Sequence, residues 1–141
     1  MEYMELSNGI NLPAVGFGPG ICGYSAKYVR RRSGLLSIPG RAYNRLVKRP
    51  FIEKDYVEGI ASAIRSGYRL IDYSAAYGDG SLVAKGIEAS GVSRDELILT
   101  TRVSNRAQFA GADRVKDEFL EQLKNMKTDY VDIFMFHWPV T

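Results

Sequence analysis

GYRLIDYSAAYGDGSLVAKGIEASGVSRDELILTTRV, residues 67–103, is the stretch whose reading decides the fold. Arg69 to Asp72 reads as a short strand. Leu82, Val83 and Ile87 mark a helix that Gly91 is placed to terminate, and Leu97-Ile98-Leu99-Thr100-Thr101 reads as the next strand. A strand, a helix and a second strand in this order predict a parallel pair joined by a right-handed crossover.

The pattern continues outward in both directions. Glu53 to Ser66 shows helical spacing, with Val57, Ala61 and Ile64 on one side and Gly67 placed to end it. Before it, Tyr3 to Ser7 and Ile10 to Leu12 flank Asn8-Gly9, a two-residue hairpin signal that favours a tight primed turn. Ala14-Val15-Gly16-Phe17 reads as the first barrel strand, ending in Gly18-Pro19-Gly20. Downstream, Val115, Phe119, Leu123 and Met126 predict a helix from Asp113 to Lys127. Val131 to Phe136 is the apolar run expected of a parallel strand buried on both faces. Four strands with three intervening helices make an α/β series. No GxGxxG follows a strand, so a doubly wound dinucleotide fold lacks its phosphate signature.

Composition narrows the class. The 141 residues suit one domain, 45% apolar and 25% charged. With Cys22 as the only cysteine, no internal disulfide forms, which suits a reducing, cytoplasmic setting. No stretch approaches the roughly 20 apolar residues of a membrane span. The net charge of +3 is unevenly placed. Residues 22–52 carry Lys27, Arg30, Arg31, Arg32, Arg41, Arg45, Lys48 and Arg49 and no acid, while the remainder holds 11 basic against 16 acidic groups. Pro39-Gly40 and Arg49-Pro50 punctuate this basic insertion as loop. A solvated loop is the simpler reading. A lid over the active rim, attracting an anionic substrate or cofactor phosphate, is the sharper one. Nucleic-acid binding is the weaker reading, since few aromatics besides Tyr24, Tyr28 and Tyr43 interleave the charge.

The chemistry collects at strand ends. Asp72 ends the second strand, Arg102 the third and His137 the fourth. Ionisable groups at the C-terminal ends of consecutive parallel strands converge on one rim, where βα-barrel active sites lie. Tyr77, five residues past Asp72, is placed to fold back over that rim. An ordinary tyrosine hydroxyl, with a pKa of about 10, is a poor acid near neutrality, and a neighbouring cation improves it. A neutral histidine can orient a carbonyl oxygen by hydrogen bonding. Such a group polarises and protonates a carbonyl while a hydride arrives from elsewhere. One histidine and one cysteine offer no metal-ligand spacing.

These residues carry a resemblance. The chain resembles the aldo-keto reductases in LSNGINLPAVGFG (6–18), in residues 67–103 and in LKNMKTDYVDIFMFHWP (123–139). The likeness spans nearly everything apart from the basic insertion. It implies the N-terminal half, strands one to four, of a (β/α)8 TIM-type barrel whose bottom is plugged by the β-hairpin. It also implies NADPH-dependent (or NADH-dependent) reduction of a small-molecule aldehyde or ketone. The family's tetrad of Asp, Tyr, Lys and His falls on Asp72, Tyr77, Arg102 and His137. Gly18, Gly20 and Asp72 become candidates to contact the cofactor, and Trp138 to contact substrate.

Three departures qualify the expectation. The family lysine is Arg102, which keeps the charge but cannot pass a proton. The family's Thr-Trp after the first-strand glycine is Pro19-Gly20 here, and its Asn-Glu after Tyr-Gly is Asp79-Gly80. The chain ends at Thr141, where a barrel needs roughly 250 residues. The expectation is therefore a fragment of a longer reading frame. It would be catalytically incompetent alone, with its open strand edges covered by the rest of the barrel or by self-association. A non-catalytic fragment or interaction module on the same scaffold is the alternative. Residue by residue, His137 alone reads as a satisfied core histidine, Arg102 alone as a structural partner of Asp72, Trp138 as packing, and Gly20 as a turn residue. The catalytic reading rests on their joint spacing.

Overall fold

The computed structural model describes residues 2–20 and 49–139, and of residues 49–52 the backbone only. The basic insertion, with Cys22 and the lid reading attached to it, therefore falls almost wholly outside the described residues.

The chain opens with a hairpin of β1 (Tyr3–Glu5) and β2 (Asn11–Pro13), paired antiparallel with Met4 opposite Leu12. Its turn is wider than Asn8-Gly9 predicts. Leu6 N donates to Ile10 O, Gly9 N donates to Leu6 O, and Gly9 has φ 81°. Either primed two-residue turn needs positive φ at its first central residue, here Asn8. Asn8 does not adopt it, so Ser7, Asn8 and Gly9 together form a three-residue loop closed by the glycine. Tyr3, Asn11 and Pro13 line a cavity with Arg69, Leu97, Ile98 and Asp132, which sit at the N-terminal ends of the sheet strands. The hairpin thus covers the bottom of the sheet.

The sheet runs β3 (Leu70–Asp72), β4 (Ile98–Val103) and β5 (Ile133–Phe136), parallel and in chain order. The expected first strand shrinks to one parallel bridge, in which Phe17 N donates to Leu70 O and Asp72 N to Phe17 O. Pro13 and Pro19 bracket the segment, and a proline supplies no ladder N–H. Gly16 lets it approach, since a Cβ there would come within 2.8 Å of Leu70 Cγ.

The crossover helices are α1 (Arg49–Arg65), α2 (Gly80–Ser90) and α4 (Ala112–Met126). α1 begins four residues before the expected Glu53. Pro50 lies in its first turn, where the missing N–H has no helical partner to lose. Gly91 terminates α2 in the left-handed region at φ 76°. A short helix, α3 (Asn105–Ala110), precedes α4 and was not expected. Ser104 caps α3, accepting from Ala107 N, and Glu118 of α4 takes the Ser104 backbone N–H and hydroxyl.

The helices pack on one face of the sheet. Ile60 and Ile64 of α1, Val83 and Ile87 of α2 and Met126 of α4 enclose Ile71, Tyr73 and Leu99 in one core. Each fully buried aliphatic side chain contributes about 1.5–3 kcal/mol. α1 and α2 approach closely because Gly86 faces Ile60. The alternate residues Asp72, Thr100, Arg102, Ile133 and Met135 point to the opposite face. β5 corrects one expectation. It is the sheet edge, with Phe134 and Phe136 exposed rather than buried on both faces. An apolar run needs covering layers on both sides to be buried, and among the described residues only Phe119 stacks on Phe134, with centroids 4.7 Å apart. No described helix is long and apolar enough to cross a membrane.

Candidate active site

Side chains alternate along a strand, so Asp72 on β3 and Thr100 and Arg102 on β4 share the face opposite the described helices. The β3–β4 register sets Asp72 opposite Thr100. Thr100 Oγ1 donates to Asp72 Oδ1, and Arg102 Nη1 donates to Asp72 Oδ2 at 2.8 Å. The carboxylate is thereby held at both oxygens. The ion pair is only partly covered, with side-chain exposures of 22% for Arg102 and 32% for Asp72. The hydrogen bond to Asp72 raises the guanidinium pKa above its ordinary value. Burial opposes the rise, and the charges of Asp72 and Tyr77 add to it. Arg102 is a permanent cation within electrostatic reach of Tyr77.

Tyr77 is returned to the rim by a single helical turn, Ala75–Tyr77. Ser74 starts that turn in extended backbone, its hydroxyl accepting from Ala76 N and its carbonyl from Tyr77 N. His137 arrives from the other side. Its N–H donates to Val103 O at 3.2 Å, continuing the β4–β5 ladder one residue past β5. The Tyr77 and His137 rings meet edge to face, with centroids 5.6 Å apart and planes at 74°. His137 Nδ1 lies 3.0 Å from Ser74 Oγ.

The structure brings Asp72, Tyr77, Arg102 and His137 to one rim. Gly18 stands beside Asp72, where a Cβ would lie 3.8 Å from Oδ2. Gly20 has φ 66°, a conformation that suits glycine, and its carbonyl accepts from Tyr56 Oη at 3.2 Å. Trp138 packs edge-on to His137, centroids 6.1 Å apart, and is 63% exposed.

A second tyrosine is close by in sequence and unsuited to acid chemistry. Tyr73 is buried on the helix face, its hydroxyl donates to Gly78 O at 2.8 Å, and burial pushes its pKa up. The sequence reading missed Ser74 and Thr100. Thr100 was findable, since it lies two residues before Arg102 on the same strand face. Ser74 had no signal, because its partner His137 is 63 residues away.

The sequence and the fold both have known counterparts. The model of the Aldo/keto reductase family matches residues 40–141. The chain is 33% identical over 136 residues to morphine 6-dehydrogenase of Pseudomonas putida, covering 96% of this chain and 36% of that protein. It is 39% identical over 82 residues to glyoxal reductase of Bacillus subtilis, covering 58% of this chain and 29% of that one. The crystal structure of an aldo/keto reductase from Brucella melitensis superposes with TM-score 0.71 at 27% identity, over 99% of this chain and 42% of that one. The chain therefore spans well under half the length of the relatives it matches, and its fold corresponds to part of their barrel.

Proposed function

Because the chain belongs to the aldo/keto reductase family, we propose that it carries the proton-donating part of a nicotinamide-dependent carbonyl reductase that converts aldehydes or ketones to alcohols. The observation that carries this reading is the meeting of Tyr77 and His137, rings 5.6 Å apart, beside the Asp72–Arg102 pair.

Tyr77 is the general acid, giving its hydroxyl proton to the carbonyl oxygen as the alcohol forms. His137 orients that oxygen by hydrogen bonding. Arg102 stabilises negative charge developing on the phenolic oxygen, and Asp72 holds the guanidinium in place. Trp138, exposed beside His137, offers an apolar wall to the substrate.

NADPH, or NADH, is the cofactor this reading needs, and the residues present fit one. Asp72 remains partly exposed, and Gly18 beside it has no side chain to cover the carboxylate. A ribose hydroxyl can therefore reach Asp72 with the backbone of Gly18 beside it, and Gly20 follows two residues on. The reduced nicotinamide supplies the hydride when bound.

The test is NADPH oxidation by the 141-residue chain with methylglyoxal and a simple aromatic aldehyde. Small dicarbonyls come first because one relative is named glyoxal reductase. Carbonyl-dependent oxidation that falls at least about 100-fold in Tyr77→Phe supports the reading. Saturable NADPH binding without any turnover would instead support a non-catalytic role for the scaffold.

A further inference from the structure

His137 is the only histidine of the chain, and one of its ring nitrogens is already engaged. Nδ1 lies 3.0 Å from Ser74 Oγ, and Ser74 is fully buried. A serine hydroxyl has one hydrogen to donate and two lone pairs to accept with. Ser74 Oγ already accepts from Ala76 N at 3.3 Å. Among the described residues, the only remaining partner for its hydrogen is His137 Nδ1. The opposite polarity, with Nδ1–H donating to Oγ, would leave the hydroxyl hydrogen buried and unpaired. Leaving a buried donor unsatisfied is more costly than the hydrogen bond is favourable. The hydroxyl therefore donates, and a neutral ring must carry its hydrogen on the other nitrogen.

We propose that Ser74 is a positioning residue, whose hydrogen bond to Nδ1 fixes neutral His137 as the Nε2–H tautomer and so presents Nε2 as a donor to the carbonyl oxygen of a substrate. The tautomer follows from the hydrogen bonds alone, while its use on a carbonyl rests on the reductase reading. Ser74 acts twice in this arrangement. Its hydroxyl and carbonyl hold the turn that carries Tyr77, and the same hydroxyl holds the ring of His137. The acid and the orienting donor are thus referenced to one side chain. No other described residue touches both elements through side-chain hydrogen bonds.

The single histidine makes the test direct. Long-range nitrogen–proton NMR of the 15N-labelled 141-residue chain, at a pH where the ring is neutral, reads the protonation of each imidazole nitrogen separately. The expected spectrum has Nε2 protonated and Nδ1 bare. Ser74→Ala should raise the Nδ1–H population at least about threefold, and Ser74→Thr, which keeps the hydroxyl, should retain the original pattern. A dominant Nδ1–H form in the unsubstituted chain overturns the inference, and so does an unchanged spectrum in Ser74→Ala. Should Ser74→Ala fail to fold, the spectra of the unsubstituted chain and of Ser74→Thr still decide it. Carbonyl reduction that Tyr77→Phe leaves unchanged, with the Nε2–H form present, would count against the reductase reading and leave the tautomer standing.

Discussion

Arg102 and Asp72 form a 2.8 Å ion pair across two parallel strands, on the sheet face that none of the described helices covers. The pair joins the neighbouring strand ends and holds a cation within electrostatic reach of Tyr77. The resemblance sets Arg102 against a lysine of the family, and the two differ in shape and in proton affinity. Arg102→Lys should increase carbonyl reduction by roughly threefold to tenfold, because a compact ammonium can approach the phenolic oxygen and exchange a proton. Steady-state kinetics on the two forms checks this, and a lower rate in Arg102→Lys would show that arginine is no handicap.

Tyr73 gives a pH dependence whose sign is fixed. Burial raises its pKa in the folded chain above the ordinary 10.0. The folded state therefore holds the proton after the unfolded state has released it. The associated stability is complete below pH 10 and falls as pH rises beyond it. Urea unfolding between pH 9 and 11 should show this decline, and Tyr73→Phe should flatten it while losing about 1 kcal/mol near neutrality with the bond to Gly78.

Gly86 sits where α1 and α2 approach most closely. A Cβ there would come 2.6 Å from Ile60 Cβ and Cγ2, with Val57 O at 3.2 Å. Alanine in an exposed helix would gain up to about 1 kcal/mol over glycine. Here overpacking dominates, and Gly86→Ala should destabilise by about 1–3 kcal/mol in chemical denaturation.

The β5 edge predicts association between copies of this chain. Among the described residues one edge of β5 has no partner strand, and its last residue, Phe136, is 65% exposed. Sedimentation velocity should show mass rising with concentration. Phe136→Lys should reduce that rise without lowering stability by more than about 0.5 kcal/mol, since an exposed side chain is replaced.

Much of this arrangement was legible in the sequence, and the gaps have physical causes. Asp72, Arg102 and His137 were found because each closes a strand of clear apolar pattern, and parallel strands bring such ends together. Tyr77 was placed by its spacing, which a single capped turn fulfils. Contacts that depend on register were invisible. The hold of Thr100 on Asp72 exists only because those two residues are opposite each other. The hairpin turn was misread because Asn8-Gly9 names residues that permit positive φ without requiring it at both. α3 is too short to show a period. The exposure of β5 follows from its position at the sheet edge, which its own apolar run does not encode.

The alternation of the strands separates two demands. Ile71, Tyr73, Leu99, Thr101 and Val103 answer to packing, while Asp72, Thr100 and Arg102 between them form the hydrogen-bonded group of the proposed site. The two demands are thus interleaved on one backbone yet sit on opposite sides of it. A change on the side away from the described helices leaves that packing in place, so a residue such as Arg102 can be varied there with little demand on the core.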